Sequence, residues 1–440
     1  MKFQPPKGTR DFLPEEMVKR EFVINTIKNV FVRYGFDPLE TPVFENFEVL
    51  AVKGGLGEDV RKQVFYFEDK AEREMGLRPE LTIGMARVIA ANPQLPKPFK
   101  RYCIAPVWRY EEITAGRKRE FYQCDIDVAG SESMEADAEC IACAVECFKS
   151  LGFKEFKIKI NNRKILEGFL ELIKKEVEPE AIVEFSSVEV FRAIDKMSKI
   201  GLEGVKEELK KIGFKGSQID ELLKIASIKG SFEYVMKKGR EVLKGIKIAE
   251  DGLDELEEVF KFSEVYEISD YFELDFGLAR GLDYYTGPIF EIAVETKRSI
   301  GSIAGGGRYD NLIGLLGGRP VPATGISLGI ERIIEIMKDE GMFNLPKTKV
   351  KAFVANVNEK VKDETAKIAQ ELRKNGISCQ TDLMGRNLTK QLELADNLGI
   401  PYAIIVGEKE LKEGKFKLKN MKEKSEKDFS LKEIIDMIQK

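Results

Sequence analysis

Apolar and polar residues recur along this chain with two spacings, one typical of helices and the other of strands. A helix is expected after Pro14 and is expected to end at Gly35. Its apolar positions share one helical face: Val23, Ile27, Val30, Phe31 and Tyr34. The segment FDPLETPVFE (36–45) follows, and its prolines would each remove a ladder hydrogen bond. This segment is therefore expected at a sheet edge or at an interface.

Strand patterning continues through the first 165 residues and returns later in the chain. Strands are predicted over 64–68, 101–109, 121–129 and 156–160, and a helix is predicted from 134 to 151. Between residues 166 and 262 the pattern changes to Lys/Glu-rich helices punctuated by glycine, which indicates a helical insertion. Strands are expected again at YFELDFG (271–277) and PIFEIAVE (288–295).

The last part of the chain alternates strands with helices. The sequence PKTK (346–349) indicates a linker. Strands are expected at KAFVANV (351–357), SCQTDL (378–383) and YAIIVG (402–407), and helices over 360–375 and 387–398. This alternation predicts a small α/β domain with a parallel or mixed sheet. The expected domain boundaries are 1–165, 166–262, 263–344 and 345–440.

Composition restricts the chemistry, because the 440 residues include no histidine. Ser-His-Asp and Cys-His nucleophile systems are excluded, and so are His-ligated zinc and HExxH metalloprotease chemistry. Any base or nucleophile must be Asp, Glu, Lys, Tyr, Cys, or a group on the substrate.

The cysteines and the apolar runs indicate a cytoplasmic protein with no membrane partner. Cys140, Cys143 and Cys147 could suggest a metal or redox site, but they lie in a helical pattern with apolar neighbours. Packing of small thiols on a helix is therefore the favoured interpretation, and no metal is expected on a Cys or His cluster. The N-terminus lacks a signal-peptide pattern, and no apolar run approaches the roughly 18 to 20 residues that span a bilayer.

Charge is distributed unevenly along the chain. The formal net charge is −4. Residues 345–440 carry a net charge of +5, so the preceding residues carry −9. A basic module on an acidic body could bind nucleic acid through local patches, although solvated lysine-rich surfaces are common.

The segment WRYEEITAGRKREFYQCDIDVAG (108–130) is the most informative part of the sequence. Arg109 and Glu111 leave a predicted strand, a polar loop with Ala115-Gly116 follows, and Arg117 precedes the returning strand. A guanidinium group can donate two parallel hydrogen bonds to two phosphate oxygens. A loop that contains glycine can close over a ligand. Three residues share one face of the returning strand: Gln123, Asp125 and Asp127.

Further segments add polar groups and arginines. In LRPELTIGMAR (77–87), Glu80 and Thr82 are two apart and would project together from an extended segment. In GLARGLDYYTGPIFE (277–291), Arg280 precedes Asp283 and the pair Tyr284-Tyr285. IAGGGRYDNL (303–312) has three glycines that allow close backbone approach to a ligand, and Arg332 follows a strand and is expected to enter a helix. Arginines 109, 280 and 332 suggest a nucleotide phosphate site without a Walker loop.

These blocks resemble those of class II aminoacyl-tRNA synthetases, and specifically histidyl-tRNA synthetases. RGLDYYTG (280–287) and GGGRYDNL (305–312) are similar to the two histidyl-specific signatures. The three class motifs also occur in order, at ETP (40–42), at WRYE (108–111) with its loop, and at GIERI (329–333). The segment KNGISCQTDLMGRNLTKQLELADNLGIPYAIIVGEKE (374–410) is similar to the anticodon-binding domain of the family. QCDIDVAG (123–130) resembles the archaeal and eukaryotic branch.

The resemblance implies an α+β catalytic domain with an antiparallel sheet of the class II type. A helical insertion and a C-terminal α/β anticodon-binding domain complete the expected fold. The implied activity is that of a ligase: ATP and Mg²⁺ convert L-histidine to histidyl-adenylate, and the histidyl group is transferred to the 3′ end of histidine tRNA. A homodimer is also implied. Titration of activity near pH 6–7 would then belong largely to the ring of the substrate.

The resemblance also assigns site residues. Arg109 would hold the α-phosphate and the substrate carboxylate, Glu111 the adenine amino group, and Phe121 would stack on adenine. Arg332 would stack opposite Phe121 or contact the phosphates, and Arg280 would take the role of a third magnesium ion in related enzymes. The catalytic set is Arg280, Arg109 and Arg332. The histidine-binding set is Glu80, Thr82, Arg109, Gln123, Asp127, Arg280, Tyr284, Tyr285 and Tyr309. The ATP-binding set is Arg109, Glu111, Arg117, Phe121 and Arg332.

Alternatives exist for the protein and for single residues. One alternative function is that of a non-catalytic, synthetase-like regulatory paralogue that senses histidine or RNA. The other is that of a synthetase for a different amino acid, which the segment RGLDYYTG disfavours. Gly84 stands where the family often has proline, and Asp283 fits a structural hydrogen bond as well as a substrate contact. Arg386 and Lys390 could contact the anticodon or belong to a solvated helix face.

Overall fold

The computed structural model of the protein describes residues 3–52, 60–113, 117–175, 186–279, 284–295 and 301–439. The chain divides into two units with separate sheets. One unit contains the chain up to Met342 except Asp11–Phe22, and the second contains Asp11–Phe22 and Phe343–Lys440. Within the described ranges, no helix is both long and apolar enough to cross a membrane.

The chain begins with a long helix, short strands and a long β-hairpin. Its elements in order are α1 (Pro14–Arg33), β1 (Asp37–Pro38), β2 (Phe44–Asn46), α2 (Phe47–Leu50), α3 (Val60–Gln63), β3 (Tyr66–Glu68), β4 (Glu74–Leu77), α4 (Thr82–Ala91), β5 (Phe99–Trp108), β6 (Glu120–Ala129), α5 (Glu135–Ser150) and β7 (Lys157–Asn162). The helix expected after Pro14 is confirmed. The strands predicted over 101–109 and 121–129 and the helix predicted from 134 to 151 are confirmed as β5, β6 and α5.

A helical stretch follows β7, as the Lys/Glu-rich pattern predicted. It contains α6 (Arg163–Lys175), α7 (Ser187–Asp195), α8 (Met197–Ile212), α9 (Gly216–Ala226), β8 (Lys229–Gly230), α10 (Phe232–Val242) and α11 (Lys247–Val265). The chain then returns to strands with β9 (Phe272–Asp275), β10 (Pro288–Ala293), β11 (Ser302–Arg308), α12 (Leu312–Leu315), β12 (Ala323–Gly329) and α13 (Ile330–Asp339). The limits of this stretch as a separate domain stay a prediction.

The main sheet of the first unit has the strand order β1-β5-β6-β12-β11-β10-β7-β9-β8. Its central pairs, from β5 to β7, are all antiparallel. The two parallel pairs lie toward the ends, where β1 pairs with β5 and β7 pairs with β9. The prolines near β1 predicted a sheet edge, and β1 is an edge strand of this sheet. A separate small sheet has the order β2-β4-β3.

Helix α5 carries the three clustered cysteines into the core. Cys140, Cys143 and Cys147 are fully buried, together with Ala144 and Phe148 on the same helix. Burial raises the pKa of the Cys140 and Cys143 thiols well above the usual value, so both stay protonated at neutral pH. The interpretation of these thiols as packing residues is confirmed.

The second unit has a five-stranded mixed sheet, as its alternating pattern predicted. Its elements are β13 (Ala352–Asn356), α14 (Lys362–Lys374), β14 (Cys379–Thr381), α15 (Leu388–Asn397), β15 (Tyr402–Val406), α16 (Glu408–Glu413), β16 (Phe416–Asn420), β17 (Ser425–Phe429) and α17 (Leu431–Gln439). The strand order is β14-β13-β15-β16-β17, with β13 parallel to both of its neighbours. The antiparallel hairpin β16–β17 was not predicted, because its strands are polar at most positions.

The glycine run in β11 serves the packing of the sheet, which corrects the expectation of close approach to a ligand at Gly306. A Cβ atom on Gly306 would lie 1.9 Å from the carbonyl oxygen of Gly325 and 2.7 Å from the ring of Phe290. Both contacts lie within the sheet, where the backbone cannot move without separating β11 from β12. Glycine is therefore required here by neighbouring protein atoms.

We expect Gly306→Ala to lower the free energy of unfolding by more than about 4 kcal/mol, because the added methyl group overlaps backbone atoms. Gly216→Ala is the matched control, since a Cβ on Gly216, the first residue of α9, meets no atom within 4 Å. Urea unfolding followed by circular dichroism would measure both. Equal stability of the two variants would contradict the packing role of Gly306.

Candidate functional site

One face of β6 carries the polar floor of the candidate site. Gln123, Asp125 and Asp127 alternate along this strand, and all three side chains are buried. Arg101 of β5 lies opposite Asp127, and Ser327 of β12 lies opposite Asp125. Because residues paired across a sheet project to the same side, these five side chains share one face. The prediction that the three β6 residues share a face is confirmed.

Asp127 is held by two buried partners. The Arg101 guanidinium lies 2.6 Å from Asp127 Oδ2, and the Tyr309 hydroxyl donates to Asp127 Oδ1. Arg101 also donates to the carbonyl oxygen of Leu81, at 3.1 Å. Burial raises the pKa of Asp127, and the charge of Arg101 opposes this shift. Gly325 makes room for the pair, because a Cβ there would lie 2.2 Å from Asp127 Oδ1.

Gln123 and Asp125 are joined through one hydroxyl group. The Gln123 amide donates to Ser327 Oγ at 2.8 Å, and the Ser327 hydroxyl donates to Asp125. Burial raises the pKa of Asp125 to about 7, against the lowering effect of Arg101. The expectation that titration of activity near pH 6–7 belongs largely to the substrate ring stays a prediction, and the raised pKa of Asp125 places a carboxyl group of the protein in the same range.

Three tyrosines pack together beside this floor. The ring of Tyr284 lies 5.0 Å from that of Tyr285 and 5.5 Å from that of Tyr309, in edge-to-face arrangements. All three are buried, and burial raises the pKa of Tyr284 and of Tyr309 well above the ordinary value. Their hydroxyl groups therefore stay protonated at neutral pH and can donate hydrogen bonds.

Arg308 fixes the position of the neighbouring Tyr309. Its guanidinium is buried and pairs with Asp137 of α5, which is also fully buried. It also donates to the carbonyl oxygens of Ser131 (3.0 Å) and Ser133 (2.9 Å). A side chain with this many partners cannot rotate independently, so the adjacent Tyr309 is held in place against β6.

Glu80 and Thr82 are not extended, which corrects the sequence-based expectation. Thr82 is the first residue of α4, and the Glu80 carboxylate accepts from the backbone N–H groups of Thr82 (2.6 Å) and Ile83 (2.7 Å). Glu80 therefore caps the N-terminus of this helix. Burial raises its pKa, and these N–H donors oppose the shift. Helix formation, which the pattern did not reveal, overrode the expected alternation.

Arg109 links this capping segment to the strand pair. Its Nε donates to the carbonyl oxygen of Pro79 at 2.8 Å, next to Glu80. Its guanidinium carbon lies 5.2 Å from the centre of the Phe121 ring, in a cation–π contact. The residues predicted for phosphate and for adenine are thus adjacent.

The remaining predicted residues lie around the ends of β5, β6 and β12. Arg117 lies 3.6 Å from Glu111, so these two residues pair with each other. Arg332 is in α13, as expected, and donates to the carbonyl oxygen of Ser302 at 2.5 Å. Its neighbour Glu331 accepts from the backbone N–H of Tyr122, which ties α13 to β6 beside Phe121.

Some predicted positions lie outside the described residues, namely Ala115, Gly116, Arg280 and Asp283. The structure also reveals participants that sequence reasoning had not assigned. Arg101 and Ser327 received no role, and Asp125 was placed on a face without a function. Arg101 alternates along β5 with the apolar residues Cys103 and Ala105, and a charged residue in that series was the available signal.

Known proteins similar to this chain match it over nearly its full length. The family model for histidyl-tRNA synthetase matches residues 8–333, and the model for an anticodon binding domain matches residues 351–440. A histidine–tRNA ligase from Pyrococcus furiosus is 37% identical over 433 residues, which are 98% of each chain. One from Korarchaeum cryptofilum is 42% identical over 409 residues, covering 92% of this chain and 91% of the relative.

This chain belongs to the histidyl-tRNA synthetase family. Among solved structures, the histidyl-tRNA synthetase from Nostoc sp. PCC 7120 superposes with a TM-score of 0.84 at 31% identity, over 100% of this chain and 99% of that one. A Bacillus halodurans protein described as an ATP phosphoribosyltransferase regulatory subunit/histidyl-tRNA synthetase has a TM-score of 0.76 at 23% identity. That second likeness shows the shared fold alone. The expected fold class of this synthetase family member is confirmed.

We expect Arg101→Met in this family member to lower the free energy of unfolding by about 3–5 kcal/mol, because it leaves the buried Asp127 without its charge partner. Adding Asp127→Asn to this variant should restore part of the loss. Denaturant unfolding of the two single variants and of the double variant at pH 7.5 would measure the coupling free energy between residues 101 and 127. Arg33→Met is the control, since its pair with Glu146 is exposed and should contribute about 0–1 kcal/mol. Additive losses at 101 and 127 would contradict the pair.

The raised pKa of Asp125 predicts a pH dependence of stability. Between the ordinary carboxyl pKa and about 7, the folded state binds a proton at Asp125 that the unfolded state has lost. Stability should therefore fall as pH rises through this range and level off above it. Asp125→Asn, which mimics the protonated form, should remove this dependence. The melting temperature of this variant should therefore rise relative to that of the wild type between pH 5 and pH 7. Parallel melting curves at all pH values would contradict the shift.

Proposed function

We propose that this chain activates L-histidine with ATP to give histidyl-adenylate and pyrophosphate, and then transfers the histidyl group to the 3′ end of histidine tRNA. The chain is a ligase of the histidyl-tRNA synthetase family, since its relatives of that name match over nearly the full length. The observation that carries the proposal is the buried polar face of β6, enclosed by three tyrosines and bordered by Arg109. A flat ring with polar nitrogen atoms fits such a floor.

The chemistry requires no base from the protein. The carboxylate of the substrate attacks the α-phosphorus of ATP, the bond to the β-phosphate oxygen breaks, and pyrophosphate leaves. The protein must align the two groups and neutralise the charge that grows on phosphate, which fixed guanidinium groups do. Arg109, Arg280 and Arg332 are proposed for this task, and the absence of histidine from the chain is compatible with it.

The floor and its surroundings are proposed to bind histidine. Gln123, Asp127 and the tyrosines would face the ring, and Glu80 with Thr82 would lie near the α-amino group. Phe121 would stack on adenine, Glu111 would accept from its amino group, and Arg117 would exchange its partner Glu111 for phosphate. Site residues of the histidine set are Glu80, Thr82, Arg109, Gln123, Asp127, Arg280, Tyr284, Tyr285 and Tyr309.

Magnesium is proposed to arrive with the nucleotide. Within the described ranges, no group of three or more His, Cys, Asp or Glu side chains could hold a metal ion on its own. Mg²⁺ commonly keeps several waters and takes its remaining ligands from substrate phosphates and one or two carboxylates. The ion would neutralise phosphate charge, and the arginines would orient the same oxygens.

The second unit is proposed to bind the anticodon of histidine tRNA, since it matches an anticodon-binding model and carries net positive charge. Arg386 pairs with Asp382 at 2.8 Å, so its contribution would be to hold the loop before α15. A homodimer is proposed from the resemblance at motif 1, around Glu40 and Pro42. A cytoplasmic location is proposed from the sequence features described above. The regulatory alternative is not favoured by the curated relatives.

Histidine-dependent exchange of labelled pyrophosphate into ATP tests the proposal directly. We expect exchange with histidine and none with other amino acids, because side chains without ring N–H groups would leave the buried acceptors of the floor unpaired. The assay should contain saturating ATP and Mg²⁺, and circular dichroism should verify the fold. Absence of histidine-dependent exchange by folded protein would contradict the proposed enzyme activity and favour a regulatory function.

We expect Arg280→Ala to lower kcat of this exchange by about 10²–10³-fold and to change the KM for histidine little, because its contact strengthens in the transition state. Arg33→Ala is a matched control, since Arg33 pairs with Glu146 on the surface. Steady-state exchange kinetics with histidine varied would separate the two constants. A rise in KM with an unchanged kcat would show that Arg280 only binds substrate.

A further inference from the structure

The carboxylates of Asp125 and Asp127 differ in the partners of their oxygen atoms. Asp127 Oδ2 has no hydrogen-bond partner among the described residues, but it forms an ion pair with Arg101, and its Oδ1 accepts from Tyr309. Asp125 receives the hydroxyl of Ser327, but its Oδ1 has no hydrogen-bond partner among the described residues. The Asp125 side chain is nevertheless buried, with a relative exposure of 3%. The pocket thus contains one engaged carboxylate and one that still offers an acceptor.

An unpartnered buried carboxylate oxygen is costly, and the surrounding charges do not relieve it. Arg101 is the positive charge that acts most strongly on Asp125, and it already pairs with Asp127. Asp127 and Glu80 are further acids whose charges act on Asp125. Cys103 lies opposite on β5, and its pKa is raised by burial, so it stays neutral. A buried acceptor without a donor is destabilising, so a ligand donor would bind here favourably.

The neighbouring amide points to the same ligand. The amide nitrogen of Gln123 donates a hydrogen bond to Ser327, and the Gln123 Oε1 has no hydrogen-bond partner among the described residues. Gln123 and Asp125 are two apart on β6 and therefore present their oxygens on the same face. Two acceptors on a buried floor, flanked by tyrosine rings, fit a flat ring that carries N–H donors.

We propose that Asp125 is a specificity-determining residue whose Oδ1 accepts a ring N–H of the amino-acid substrate, beside Asp127, which Arg101 and Tyr309 hold in place. This inference rests on the proposed function and adds a residue to the histidine pocket. Rings without an N–H would leave Asp125 unpaired, and buried polar groups left unpaired are the strongest basis for rejecting a near-isosteric substrate.

The test compares Asp125→Asn with the wild type in histidine-dependent pyrophosphate exchange. We expect the KM for histidine to rise about tenfold, because Asn replaces a charged acceptor with a neutral amide that forms a weaker hydrogen bond. The KM for ATP should stay within about twofold, since the nucleotide is proposed to bind at Glu111 and Phe121. Ser327→Ala should give a smaller rise in the KM for histidine, because it removes only the hydroxyl that orients Asp125.

Two controls separate a binding role from a structural one. Cys124→Ala changes a buried residue on the opposite face of β6 and should leave both KM values unchanged. Asp127→Asn leaves the buried Arg101 without its partner, so its melting temperature should fall, whereas that of Asp125→Asn should not fall at pH 7.5.

An unchanged KM for histidine in Asp125→Asn would overturn the assignment. So would a fall in its melting temperature together with equal rises in both KM values, because that result indicates a structural residue. Failure of the proposed function has a different signature, since the wild type itself would then show no histidine-dependent exchange.

Discussion

The buried ion pair between Arg101 and Asp127 is the interaction on which the polar face of the main sheet depends. Both side chains are almost fully excluded from solvent, at 1% and 3% exposure. Either charge alone would be strongly unfavourable in this position, and together they fix the register of acceptors across β5, β6 and β12. Tyr309 and the carbonyl oxygen of Leu81 complete the set of partners. The neighbouring Asp125 and Gln123 are thereby placed beside a rigid group.

The site is rigid because its residues belong to strands and helix termini. Glu80 caps α4, Arg308 is locked to Asp137 of α5, and Glu331 ties α13 to β6. The contacts of Arg308 and Glu331 each join two elements that are distant in sequence. Catalysis by alignment and charge neutralisation requires such preorganisation, since the protein contributes no reactive base. The absence of histidine from the chain therefore imposes no chemical loss on the proposed reaction.

Burial of acids has an energetic consequence for the fold. The pKa values of Glu80, Asp125, Asp127 and Asp137 are all raised, and burial is the largest cause in each case. Two of these acids are paired with buried arginines, and Glu80 is satisfied by a helix N-terminus. Asp125 has the weakest compensation, which is the pattern expected where a side chain is retained for a ligand at the expense of stability.

The sequence by itself determined most element types, the α/β character of the second unit and the family. Helix α1, the strand pair β5–β6, the cysteine-bearing α5 and the alternation after Leu345 followed from periodicity. The arginine and tyrosine motifs identified the family, because their spacing is local. Only the tertiary structure showed that Glu80 caps α4, that Gly306 is required by sheet packing, and that Arg101 neutralises Asp127. Pairing across strands joins residues far apart in the chain, and the difference in solvation between Asp125 and Asp127 depends on that pairing. No linear pattern contains this information.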